Sequence, residues 1–117
     1  MEHDDQAYIV DIILASDAIA SFVAGMTKAA FLDDPKTCSA VIYQIMVMGE
    51  ATSHVTHEFR KAHPTVPWRT LIKLRNIYIH AYRDVDVPRV WRAATRDVPR
   101  IVEAVRALVP SADEDDI

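Results

Sequence analysis

Apolar residues at Ile9, Ile12, Ile13, Ile19, Phe22 and Val23 recur three and four positions apart. That is the spacing of one helix face, and it predicts a first helix over about Ala7 to Val23. Gly25 and the FLDDP stretch interrupt the pattern. Asp34-Pro35 has the form of a helix start, with Asp as cap and Pro in the first turn. It opens a second segment that is expected to run to about Ala62. The middle of this segment, AVIYQIMVMGEA, is apolar almost all round, so burial on more than one side is expected. Gly49 lies inside it, where glycine costs about 1 kcal/mol against alanine. Close approach of another helix would account for it.

His63-Pro64 closes the second segment, and Thr65-Val66-Pro67-Trp68 opens a third that reaches about Tyr82 or Arg83. A fourth begins at Asp86-Val87-Pro88. Pro99 falls inside its pattern, where the ring removes a backbone donor and should kink or split the helix. Val98, Ile101, Val102, Val105, Leu108 and Val109 keep the helical spacing, and Pro110 ends it. Only two glycines are present, and neither hairpin dipeptides nor sustained period-2 alternation appear. The expectation is an all-α fold, an antiparallel bundle of four main helices with the last kinked or split near Pro99. Residues 1–112 would form one domain, and residues 113–117 a disordered acidic tail.

Charge sharpens this picture. The formal net charge is −4, but Glu2, Asp4, Asp5, Asp113, Glu114, Asp115 and Asp116 carry seven negatives near the two ends. Without them, 13 basic residues face 10 acidic ones. Between Arg60 and Arg106 there are 11 basic and 4 acidic residues. A basic second half is compatible with an anionic partner such as nucleic acid, and equally with a solvated helix surface. The lone Cys38 rules out a disulfide within one chain and fits a reducing compartment. The acidic opening MEHDDQ is unlike a signal peptide, and no apolar run reaches the roughly 20 residues of a bilayer span. A soluble cytoplasmic protein is expected.

The third segment carries the densest chemistry, in RNIYIHAY, Arg75 to Tyr82. At 100° per residue, Trp68, Ile72, Arg75, Ile79 and Tyr82 share a stripe with Leu71 at its edge. Arg75 is thus centred on an apolar face and needs an acceptor. Glu50, within the apolar part of the second segment, is a candidate. Arg69, Lys73, Asn76, His80 and Arg83 form a second, basic stripe. Leu74, Ile77 and Ala81 form a further apolar strip, which suggests a second contact such as a dimer interface. Arg75 and His80 lie about 140° apart on an ideal helix, so a shared site would need arginine's reach, an irregular helix end, or a two-fold axis joining two copies. Histidine can act as acid or base near neutral pH, and arginine grips phosphate in a bidentate manner. Together they suit attack of a ribose 2′-OH on the adjacent phosphorus. Spacing alone also allows plain surface and packing roles for both residues, and a core-edge role for Tyr82.

RNIYIHAY resembles the R-x4-H-x-Y motif of the HEPN superfamily, specifically HepT-like toxins of prokaryotic toxin–antitoxin pairs. Arg75, His80 and Tyr82 match the fixed positions, and Asn76 matches the polar residue that follows the arginine. Gly49-Glu50-Ala51, the P-x-x-P-W run from Pro64 to Trp68, and the DVPRVW opening of the fourth helix agree with it in order. The resemblance implies a homodimeric helical bundle acting as a metal-independent endoribonuclease, with two motifs facing one cleft. In that setting Arg75 would bind the scissile phosphate and His80 would be the acid/base. Asn76 would orient His80 or the phosphate, and Arg69, Lys73 and Arg83 would contact RNA. A minimal nucleotidyltransferase antitoxin would transfer AMP onto Tyr82 and block the cleft with negative charge. No cofactor is expected. The alternative is a non-catalytic nucleotide-binding or docking subunit of a nucleotidyltransferase complex. Glu50, His54, His57 and Glu58 could mimic a metal set on one helix, but a polar face is the better reading, and no metal site is expected.

Overall fold

The computed structural model describes residues 4–79 and 84–109, with residues 76–79 described in the backbone alone. Its helices are α1 (Asp5–Val23), α2 (Lys28–Leu32), α3 (Pro35–His54), α4 (His57–Ala62), α5 (Trp68–Ile79), α6 (Val87–Arg92) and α7 (Val98–Arg106). No strand occurs among the described residues. Most starts are fixed by the same device: a short polar side chain caps the N–H three residues on. Asp4 accepts from Ala7 N at 3.1 Å, Thr27 from Ala30 N at 3.1 Å, Asp34 from Thr37 N at 3.0 Å, and Asp86 from Arg89 N at 3.2 Å. Asp34 also accepts from the Thr37 hydroxyl. These bonds to its charged form, the hydroxyl first, hold its carboxyl below the usual range. Gly25 ends α1 in the left-handed region, at φ 75°, which glycine adopts without the clash a Cβ would bring.

The four main helical stretches form the expected all-α bundle. α1 packs against α3, α3 against α5, and the α6–α7 stretch closes over α1. One continuous core runs through them: Ile9, Ile12 and Ile19 from α1, Val41, Ile45 and Met48 from α3, Leu71 and Leu74 from α5, and Val98, Val102 and Val105 from α7. Phe31 of α2 is fully buried and meets Trp91 with ring centroids 5.2 Å apart. Cys38 lies in this core, where burial pushes its thiol pKa up. α1 meets the length and apolarity of a bilayer span, contrary to the sequence reading. Its Ile9, Ile12, Ala15, Ile19 and Val23 face is, however, filled by the rest of the bundle.

Three expectations are corrected. The second segment is two helices: α3 ends at His54 with Val55 as its C-cap, and Thr56 caps the next by accepting from Phe59 N at 3.2 Å. The Thr56 N–H and hydroxyl donate in turn to the two carboxylate oxygens of Asp5, at 2.8 and 2.7 Å. This break also divides Glu50 and His54 on α3 from His57 and Glu58 on α4. Phe22, expected inside, is exposed. On α5 the buried positions are Trp68, Leu71 and Leu74, while Ile72 and Arg75 are half-buried. The inward face is therefore rotated from the projected stripe.

The fourth helix departs from regularity just before Pro99. Ala93–Asp97 forms a π-helical turn between α6 and α7. Pro99 cannot donate to the carbonyl of Thr95, and a wider turn absorbs the missing bond and the ring. The tail at residues 113–117 lies outside the described residues, as does Pro110.

Gly49 sits where α3 meets α5. A Cβ added there would overlap Arg75 Cβ and lie 3.3 Å from Arg75 Cα. The obstructing atoms belong to or adjoin the backbone of α5 and cannot swing aside. Gly49→Ala gains about 1 kcal/mol of helix propensity but forces the helices apart, an overpacking cost of about 1–3 kcal/mol. The expected outcome is net destabilisation, read as a lower urea midpoint with an unchanged slope. A variant more stable than the parent would contradict this packing.

Candidate active site at the α3–α5 crossing

Because Gly49 presents no side chain, the stem of Arg75 lies directly over α3, and its guanidinium reaches the next residue along. Arg75 Nη1 donates to Glu50 Oε2 at 2.6 Å. Glu50 Oε1 lies 3.1 Å from His54 Nε2, one helical turn on. The Tyr8 ring of α1 stacks on the His54 imidazole, with centroids 5.1 Å apart and planes 19° from parallel. The result is a chain of groups running from α5 across α3 to α1.

The Arg75 side chain is 28% exposed and Glu50 58% exposed. The pair is therefore anchored at the surface rather than sealed in, and such ion pairs contribute little to stability. Its value lies in orientation. Arg75 Nε is buried with no partner among the described residues, so the bond from Nη1 to Glu50 is what holds the head group. Bonds from His54 first, then Arg75, hold the Glu50 carboxyl below its ordinary range. Beside this chain lies a pocket of about 390 Å³. Tyr8 and Asp11 wall it from α1, and Tyr43, Met46 and Val47 from α3, with Arg75 and Glu50 at one side.

The structure thus places Arg75 beside the acceptor that the sequence had offered for it. The backbone of Asn76 continues α5, its side chain lying outside the described residues, as do His80, Tyr82 and Arg83. Arg69 and Lys73 are exposed on α5 and line a different groove, of about 550 Å³, shared with α4. Sequence reasoning missed Tyr8 and Asp11, which come to the Arg75 pocket from the far end of the chain. Their only sequence signal is that they stand three apart on a helix, at the border of the apolar stripe.

An all-α bundle that exposes an anchored arginine from an R-x4-H-x-Y segment defines a class, the HEPN-type helical proteins. Residues 12–108 match the family described as Ribonuclease HepT-like, and the chain belongs to it. It is 35% identical over 101 residues to a probable ribonuclease HepT of Thermococcus cleftensis, covering 86% of this chain and 92% of that one. It is 31% identical over 104 residues to a candidate RNase of Methanocaldococcus jannaschii, covering 89% and 95%. A bacterial candidate RNase from Caldanaerobacter subterraneus is 26% identical over 102 residues, covering 87% and 91%. No solved structure matches the chain.

The Glu50 network makes a pH prediction. Its folded pKa is depressed, so whatever the pair contributes is present above the unfolded carboxylate value and lost as pH falls through the folded one. Carboxyl-carbon NMR titration should find Glu50 titrating below ordinary glutamates. In His54→Gln and in Arg75→Gln its midpoint should rise towards them. An unmoved midpoint in both variants would rule the network out in solution.

Proposed function

We propose that this protein is a metal-independent endoribonuclease toxin, cutting RNA at a composite site formed by two copies of the chain. Membership of the ribonuclease HepT-like family, with Arg75 held outward at the α3–α5 crossing, is the observation that carries the reading. In the reaction, His80 takes the proton of a ribose 2′-OH and that oxygen attacks the neighbouring phosphorus. The bond to the 5′-oxygen breaks, and the leaving oxygen gains a proton. The products are a cyclic phosphate and a free 5′-hydroxyl. Arg75 stabilises the negative charge on the phosphoryl oxygens, and Asn76 orients His80 or the phosphate.

The exposed apolar residues support a paired molecule. Val10 and Leu14 are four apart on α1, and Tyr43 and Met46 three apart on α3, on the two helices that wall the Arg75 pocket. Leu14 is 58% and Tyr43 64% exposed. A second copy covering these residues would shield apolar surface and bring a second motif to the same cleft. Regulation would come from a minimal nucleotidyltransferase antitoxin. The phenol oxygen of Tyr82 attacks the α-phosphorus of ATP, pyrophosphate leaves, and the attached AMP sets phosphate charge against Arg75.

Protein expressed without a partner should cleave structured RNA in EDTA, and His80→Ala should lower the rate by about 10²–10⁴-fold. Equal cleavage by the variant would point to a contaminant. No cleavage of several RNAs by unmodified dimer would move the reading to a non-catalytic binding or docking subunit. Co-expression with a minimal nucleotidyltransferase should add AMP to the protein by intact mass, and Tyr82→Phe should abolish that addition.

A further inference from the structure

We propose that the groove between α4 and α5 binds the phosphates of a single RNA strand flanking the bond to be cut. The inference rests on the ribonuclease reading and adds to it a substrate track separate from the Arg75 site. His57, Arg60 and Lys61 from α4 face Arg69 and Lys73 from α5 across the groove. These are five of its seven lining residues, the others being Trp68 and Ile72.

What sets the groove apart is that basic side chains from two helices line one cavity. The exposed Arg89, Arg92, Arg96 and Arg100 also lack an ion pair among the described residues but stand along a single helical stretch. Arg75 is paired with Glu50, and Arg106 with Asp17. Among the described residues, no carboxylate pairs with Lys61, Arg69 or Lys73. Arg60 spends Nη2 on the Thr52 carbonyl at 2.8 Å, and its Nε is buried without a partner. Like charges gathered on facing helices repel one another, and a bound anion relieves that repulsion. A small anion would meet only one or two of them. Arg69 and Lys73 stand one turn apart, about 6 Å along α5, comparable to the step between successive phosphates of a nucleic-acid strand.

The apolar wall says which part of the nucleotide is read. Trp68 is buried, its indole N–H donates to the His63 carbonyl at 3.0 Å, and its ring meets Phe59 edge-on. It is committed to the bundle and offers no free face for a base to stack on. Recognition in the groove is therefore of backbone rather than sequence. By the sequence projection, Arg69, Lys73, Asn76 and His80 share one stripe of the third segment, so a strand following the groove along α5 is directed towards the motif.

The test is equilibrium binding of a fluorescent, 2′-O-methyl single-stranded RNA by the full chain across a salt series. The probe cannot be cut, so binding is read independently of catalysis. Lys61→Gln, Arg69→Gln and Lys73→Gln together change only exposed side chains. They should make the slope of log K against log salt shallower by about 2, from roughly 0.7 per phosphate contact. Lys73→Gln alone should make it shallower by about 0.7. Arg92→Gln, Arg96→Gln and Arg100→Gln together remove the same charge from exposed positions between residues 92 and 100, outside the groove lining, and should leave the slope as in the parent. An unchanged slope in the groove variants would overturn the proposal and leave the groove to an acidic protein partner. An equal change in the control would also overturn it, by showing an effect of net charge. Absence of cleavage by the parent protein would count against the nuclease reading while leaving the binding result intact.

Discussion

The distance between α3 and α5 at Gly49 governs the arrangement around it. A missing side chain lets two backbones approach until Arg75 Cβ occupies the space that an alanine methyl would need. That contact turns the Leu71 and Leu74 side of α5 into the core and leaves Arg75 at the border between core and solvent. From there an arginine has one short route to an acceptor, the carboxylate of the residue following the glycine. Gly49 and Glu50 therefore act as a unit: the first sets how near α5 comes, the second which way its guanidinium points.

Arg75 and the basic groove between α4 and α5 differ in their counter-charges. Arg75 is held by a carboxylate and aimed, which suits a group that must meet one phosphoryl centre in a fixed geometry. Arg69, Lys73 and Lys61 are long side chains without such a partner and can follow a flexible polyanion. The acidic net charge of the whole chain hides both, since acidic residues crowd its ends while the second half is basic.

Much of the bundle could be read in the chain because periodicity and caps are local signals. Asp34-Pro35 and Asp86-Val87-Pro88 start helices where expected, and Pro99 disturbs the last one at the expected place. The break at Thr56 was not legible. The HVTH stretch holds no glycine or proline to mark a stop, and what ends α3 there includes a bond to Asp5 on a different helix. The rotation of α5 was hidden for the same reason, since an ideal helical wheel has no knowledge of where Gly49 will meet it. At the candidate site, Gly49 and the Glu50–Arg75 pairing could be suggested from one glycine and one buried-side charge. Tyr8 and Asp11 could not, because only tertiary packing carries them to the pocket. His80, Tyr82, Arg83 and the Asn76 side chain lie outside the described residues, and their part in the site rests on the motif.

The bond between Asp5 and Thr56 joins positions 51 residues apart. It fastens the first turn of α1 to the joint between α3 and α4. His54 of the Arg75 network lies just before that joint, and His57 of the basic groove just after it. Charge-assisted bonds of this kind contribute about 1.5–3 kcal/mol each, a large share of the free energy that holds a short segment against local opening. Amide hydrogen exchange around the joint should then be set as much by the start of the chain as by its own neighbours. Trimming the first five residues would loosen a hinge between two surfaces that neither contains those residues nor touches them in sequence.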